Sequence, residues 1–159
     1  MRSMRSITSI MLLGMSLGGI SACGSTVLSS TPVSKSGDGW AVTLEQAKEG
    51  PDEYVGEGGV LVEAGDGQKL VWALVTVRND GPQEQTFEYE KCFLEGPGEA
   101  RRPSVIDKHM PELNTAADRA ESFNPGEART RMIVYTFPSD KRPTTLKCES
   151  AALPIKAVK

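Results

Sequence analysis

An eight-residue apolar run, Leu70 to Val77, is the feature that most restricts the fold of this chain. Apolar residues occupy both parities of the run, and valine recurs in it, which is typical of a strand covered on both faces. Asn79-Asp80-Gly81-Pro82 follows directly, and these residue types favour a turn over a continued strand. The pattern predicts a central β-strand with one face on the core and the other under loops or a partner.

Other segments repeat the strand signal on both sides of this run. Trp40, Val42 and Leu44 alternate with less apolar residues, which predicts a half-buried strand. Residues 83–94 are expected to return as the next strand and to form a hairpin with the run. Phe87 and Tyr89 would then share one face of that strand, and Cys92 and Leu94 the other.

The second half of the sequence continues in the same way. Arg131 to Phe137 predicts a strand with Ile133 and Tyr135 on the same side, and a last strand is expected from Leu146 to about Ile155. Between them, apolar residues from Leu113 to Phe123 fall at near-helical spacing, which predicts one short helix. About seven short strands with turns between them indicate an antiparallel β-sandwich over residues 39–159.

The first 22 residues have the layout of an export signal. Arg2 and Arg5 precede an apolar run that ends at Ile20, and small residues lead to Cys23. Ile20-Ser21-Ala22-Cys23 resembles the bacterial lipoprotein signal, which implies cleavage before Cys23, lipid on its sulfur and attachment to a membrane. An uncleaved anchor is the first alternative, but about 14 residues are short against the ~20 that span a bilayer. An ordinary secretory signal is the second.

Residues 24–38, directly after this cysteine, are mostly small and polar. We expect residues 23–38 to form the lipidated N-terminus and a flexible tether of about 20 Å. Gly24 rather than Asp after the cysteine permits, by resemblance to Gram-negative lipoproteins, sorting to the outer membrane.

Lipidation of Cys23 would leave two of the three cysteines, Cys92 and Cys148. An exported protein lies in a compartment where disulfides persist, so we expect these two to be joined. Two unpaired buried thiols are the alternative.

Charge restricts the class of partner. The chain has a net charge of −3, and removal of Arg2 and Arg5 would make it more negative. An acidic chain argues against nucleic acid as a partner and against a polybasic grip on anionic lipid. Any hold on the membrane is therefore expected to come from acyl chains at Cys23.

Two motifs carry a family resemblance. Leu70 to Gly81, with Val75-Thr76-Val77-Arg78-Asn79-Asp80-Gly81 at its end, resembles the second-strand motif of small Ig-like domains on bacterial surface lipoproteins. Phe123-Asn124-Pro125-Gly126-Glu127 before an apolar strand resembles a later feature of the same group. The resemblance implies an Ig-like sandwich with no established activity. The usual tryptophan after the first cysteine is missing, and Trp72 is the candidate to pack on the disulfide instead.

Few residues of the sequence point to a chemical activity. Residues 49–67 form a glycine-rich acidic loop that offers oxygen ligands for a small ligand or metal, but their spacing does not match an EF-hand. His109 is the one histidine, and no nucleophile elbow surrounds Ser104 or Ser122. No zinc-type cysteine spacing or phosphate loop is present. No catalytic residue, cofactor or metal ligand is therefore predicted.

The sequence thus predicts a non-enzymatic, lipid-anchored cell-envelope protein whose Ig-like domain interacts with another envelope protein. The alternative is a small-ligand or metal binder that uses the loop at 49–67.

Overall fold

The computed structural model describes residues 26–56, 61–108, 115–116 and 119–156. These residues form fifteen β-strands and one 3-10 turn. The strands are β1 (Val27–Ser29), β2 (Val33–Gly37), β3 (Trp40–Glu49), β4 (Glu53–Val55), β5 (Leu61–Glu63), β6 (Gln68–Asn79), β7 (Gln85–Glu88), β8 (Cys92–Gly96), β9 (Glu99–Arg101), β10 (Val105–Lys108), β11 (Thr115–Ala116), β12 (Ala120–Phe123), β13 (Ala128–Pro138), β14 (Thr145–Cys148) and β15 (Ala151–Pro154).

The larger sheet is antiparallel and has the strand order β1-β3-β6-β13-β10-β11, with β2 also paired to β3. Strand β6 lies between β3 and β13 and covers 12 residues, because its apolar run suits a central position with one buried face and one partly covered face. Val71 and Val75 face the main core, whereas Leu70 lies in a second apolar cluster on the outer face. The prediction of a central strand with one face on the core is confirmed, and its outer face is covered at Leu70 and partly at Trp72.

The main core lies between this sheet and a four-stranded sheet of order β15-β14-β8-β9, accompanied by the pair β12-β7. Leu94, Leu146 and Leu153 of the smaller sheets are fully buried against Ile133 and Tyr135 of β13. Two antiparallel layers around one core make a β-sandwich, as predicted. The strand count exceeds seven because many strands have only three or four residues.

The predicted hairpin between β6 and the following segment is wrong. Strand β7 pairs with β12, and β6 pairs with β3 and β13. The buried side chain of Asn79 explains the change of layer: its Nδ2 donates to the carbonyls of Gln83 (2.7 Å) and Phe123 (2.9 Å), and its Oδ1 accepts from the Gly81 amide. These bonds hold the turn against β12 and direct the chain into the other layer.

The predicted division of faces between Phe87, Tyr89, Cys92 and Leu94 is also wrong, because all four side chains are buried in the main core. A 3-10 turn at Tyr89–Lys91 separates β7 from β8 and resets the alternation of side chains. The single strand expected from Leu146 to Ile155 is likewise two strands, β14 and β15, with Glu149 in the left-handed region at φ 48°.

The helix predicted between Leu113 and Phe123 does not form in the described part of that segment, where β11 and β12 are strands. Pairing of β12 with β7 buries Phe123 next to Trp40, with ring centroids 5.5 Å apart in an edge-to-face arrangement. This tertiary contact outweighs the weak helical spacing of the alanines.

The flexible tether is wrong from Val27 onward. Strands β1 and β2 both pair with β3, and Leu28 and Ser29 are buried. Polar small residues suit this edge position because β2 exposes most of its side chains to solvent. The folded domain therefore begins well before residue 39.

The acidic loop at 49–67 contains the hairpin β4–β5, which covers part of the outer face of the larger sheet. Tyr54 and Val62 point toward that sheet, and Tyr54 meets Trp72 edge-to-face with ring centroids 5.3 Å apart. Trp72 therefore lies in the outer cluster, and its predicted packing on the disulfide is wrong.

Candidate functional site

Cys92 and Cys148 form a disulfide, as predicted, and both residues are fully buried. They are directly opposite each other on the neighbouring strands β8 and β14. The bridge therefore fixes the pairing within one sheet, whereas the immunoglobulin disulfide joins two sheets. The buried Tyr135 hydroxyl approaches it from the other layer and donates to the Cys92 carbonyl at 2.9 Å.

Cys23, the expected lipidation site, lies outside the described ranges, and so does the single histidine, His109. Within the described ranges, no helix has the length and apolar character needed to cross a bilayer.

The described part of the acidic loop brings no three potential metal ligands together. Glu49 is engaged by Lys69, with Nζ 2.6 Å from Oε1. Glu53 and Glu63 are cross-strand partners on the hairpin, on the parity opposite to Tyr54. The loop at 49–67 therefore acts in this structure as a cover for the sheet.

Asp107 on β10 is the most deeply buried carboxyl group in the described residues. The Tyr54 hydroxyl of the hairpin donates to its Oδ2, while Oδ1 has no hydrogen-bond partner. Burial raises the pKa of Asp107 above that of an ordinary carboxyl group, because desolvation disfavours the charged form. Sequence reasoning missed this contact because it joins residues 53 positions apart.

The raised pKa of Asp107 predicts a specific pH dependence of stability. Between the ordinary aspartate pKa near 3.9 and the raised native value, the native state holds more protons than the unfolded state. Stability of the wild type relative to Asp107→Asn should therefore fall as pH rises through this window, by up to about 1.4 kcal/mol per pH unit. Urea unfolding of both proteins at several pH values checks this. A free energy of unfolding of the wild type that rises with pH relative to that of Asp107→Asn would contradict it.

A second buried polar group lies on the face of β12 and β13. Arg131 and Glu121 are 8% and 7% exposed, and two guanidinium nitrogens of Arg131 contact the Glu121 carboxylate at 2.8 to 3.2 Å. Burial and this carboxylate raise the pKa of the neighbouring Tyr89. Arg129 packs on the Phe123 ring and pairs with Glu127. These arginines and glutamates pair with one another, which suits a structural role.

A groove of about 420 Å³ lies on the outer face of the four-stranded sheet. Phe93 alternates with the buried Cys92 and Leu94, so its ring points outward on β8, directly opposite Lys147 on β14. Lys91, Glu95, Ala100 and Glu149 complete the lining. We call this surface the Phe93 groove. The alternation of Cys92 and Leu94 was the one sequence signal for it, because it leaves Phe93 on the solvent side.

Some charged side chains of the Phe93 groove have ion-pair partners and others do not. Lys91 pairs with Glu88 at 2.7 Å and contacts Glu149 at 3.8 Å. Arg102 lies over the Phe93 ring, with 5.6 Å from its guanidinium carbon to the ring centroid. Arg102 and Lys147 are exposed, and neither has an ion-pair partner among the described residues. The groove thus combines an aromatic floor with two cations available to a partner, and with the Glu95 carboxylate, which also has no ion-pair partner among the described residues.

A second groove, of about 360 Å³, lies at the end of the sandwich where the described chain begins. It is polar and includes Thr26, Val27, Lys69 and residues 139–142. Lys69 is neutralised by Glu49, and Lys141 by Glu99 at 2.7 Å.

No family model and no curated protein sequence matches this chain. Solved structures with a similar fold include the following two. An uncharacterised β-sandwich protein from Clostridium difficile 630 superimposes with a TM-score of 0.51 and 13% identity, over 76% of this chain and 86% of that chain. A functionally unknown protein from Listeria monocytogenes EGD-e gives a TM-score of 0.54 and 11% identity, over 85% of this chain and 89% of that chain. The likeness supports the β-sandwich architecture.

Proposed function

We propose that this chain is a non-enzymatic, lipid-anchored protein of the cell envelope that binds another envelope protein through the Phe93 groove. The groove carries the proposal, because an aromatic side chain beside two cations without ion-pair partners suits the recognition of a polypeptide. Its described lining contains no serine, histidine or cysteine that would act as a nucleophile or base. The outward-facing aromatic ring and the two cations that are unpaired within the described ranges are features of a binding surface.

The chemistry of the groove indicates the kind of partner. Phe93 offers an apolar contact, while Lys147 and Arg102 would meet carboxylates of the partner. A segment that presents an apolar side chain next to aspartate or glutamate fits this arrangement. The membrane would restrict the search for such a partner to its own surface, through acyl chains on Cys23.

Anchoring is tested first, in the producing cells. The wild type should incorporate labelled fatty acid and sediment with membranes, because two or more acyl chains bind a bilayer stably. Cys23→Ser should lose both properties. Membrane retention of the unlabelled variant would contradict the proposed anchor.

Binding is tested by site-specific photocrosslinking from position 100, where the exposed Ala100 lines the groove. We expect a discrete crosslinked product that is lost in Phe93→Ala and in Lys147→Glu. Position 86 on β7, where Thr86 is exposed, provides the control site, and Lys35→Glu provides a matched exposed-charge control. A product that persists in both groove variants, or that forms equally from position 86, would contradict the role of the groove.

A further inference from the structure

The position where the chain enters the sandwich restricts the orientation that an anchored domain can take relative to a membrane. The Glu49 amide donates to the Thr26 carbonyl at 2.8 Å, and Val27 lies opposite Lys48. Thr26 is therefore held at one end of the larger sheet, where β3 ends and β6 begins. We call this the Thr26 end.

Covalent geometry bounds the distance from this end to the lipid. Only Gly24 and Ser25 separate Thr26 from Cys23, and three residue steps of 3.3 to 3.6 Å span at most about 11 Å. This step depends on the proposed lipidation of Cys23. Given that lipidation, the Thr26 end cannot leave the headgroup region, whereas a 15-residue coil would have allowed any orientation.

The exposed side chains at this end carry charges of both signs. The Ser139 amide bonds to the Gly67 carbonyl, and the Ile155 amide bonds to the Thr144 carbonyl, so the turn at 138–144 and the chain at Ile155 belong to the same end. Arg142 and Lys156 are exposed and have no ion-pair partner among the described residues. Asp140 in the groove and Asp66 beside Gly67 are exposed acids of the same end without an ion-pair partner among the described residues, whereas Glu49 is paired with Lys69.

We propose that the sandwich stands on the bilayer by its Thr26 end, with Arg142 and Lys156 against lipid phosphates. Val27, which is 40% exposed, lies at the same end and adds apolar area to this contact. The Phe93 groove lies on a lateral face of the sandwich, so a partner would approach it parallel to the membrane.

The two tryptophans of the chain are natural probes of this orientation. Trp72 packs against Gly50 and under the Lys48 ammonium, and so lies at the Thr26 end. Trp40 lies opposite Asn79, seven residues further along β6, which is about 24 Å away at 3.4 Å per residue. Energy transfer to a headgroup acceptor should therefore be much stronger from Trp72 than from Trp40.

The experiment uses the acylated mature protein, purified from the producing cells and reconstituted into phosphatidylcholine–phosphatidylglycerol vesicles that contain a dansyl-headgroup lipid. Trp72→Phe leaves Trp40 as the remaining donor and preserves an aromatic ring beside Tyr54. We expect several-fold weaker transfer from this variant than from the wild type. We also expect Arg142→Glu with Lys156→Glu to reduce transfer from the wild-type tryptophans, whereas Lys35→Glu should leave it unchanged.

Equal transfer from the wild type and Trp72→Phe would overturn the proposed orientation, even if the protein carries acyl chains. An unchanged signal in Arg142→Glu with Lys156→Glu would overturn the phosphate contact. Failure of the anchor itself is recognised separately, because fatty-acid label would then be missing from the purified protein. That result would overturn both the anchoring proposal and the orientation.

Discussion

Replacement of Cys92 and Cys148 together by alanine should lower the free energy of unfolding by about 4 kcal/mol. The two cysteines are 56 positions apart, and closing a loop of that length removes about this much entropy from the unfolded chain in the chain-entropy model. The fully buried bridge also fixes the pairing of β8 with β14, so its loss permits these short strands to slip.

The measurement is urea unfolding in a Cys23→Ser background, which removes the third thiol from both proteins. The oxidised parent with and without reductant provides a second comparison that changes no side chain. A loss below about 1 kcal/mol in both comparisons would contradict a stabilising role for the bridge.

Replacement of Arg131 by methionine should cost about 3 kcal/mol of stability. It would leave the Glu121 carboxylate buried without its main partner, and removal of one member of a buried ion pair typically costs ~3–5 kcal/mol. Arg129 keeps a 3.5 Å contact with Glu121, so we place the loss at the lower end of this range.

Two variants test the mechanism behind this loss. Glu121→Met combined with Arg131→Met should recover most of the stability, since two apolar side chains leave no buried charge. Arg129→Met removes a more exposed cation of the same group and should cost about 1 kcal/mol or less. Equal losses in Arg131→Met and Arg129→Met, measured by urea unfolding, would rule out burial as the cause.

The periodicity of apolar residues was sufficient to predict the parts of the fold that depend on local sequence. β3, β6 and β13 are long enough for alternation to show which residues face the core, and the turn at Asn124–Glu127 follows from Pro125 and Gly126. The sandwich architecture and the disulfide followed from these strands and from the cysteine count.

Pairing between distant strands could not be predicted in the same way. The buried Asn79 amide holds Phe123, 44 positions away, and this contact decides that β7 joins β12 instead of β6. The weak polar strands β1 and β2 acquire order from pairing with β3, not from their own composition. The Phe93 groove depended on the placement of β8 beside β14, which local pattern does not contain.

The division of the edge beside β3 into β1 and β2 affects how this protein can associate. The two pieces are three and five residues long, and Pro32, which has no amide hydrogen, lies in the gap between them. Such an interrupted border offers no continuous ladder for an added strand from a second chain. Neighbouring copies of this domain are thus not expected to form a continuous sheet through their backbones along this border, including on the membrane surface proposed above. Recognition there would depend on side chains.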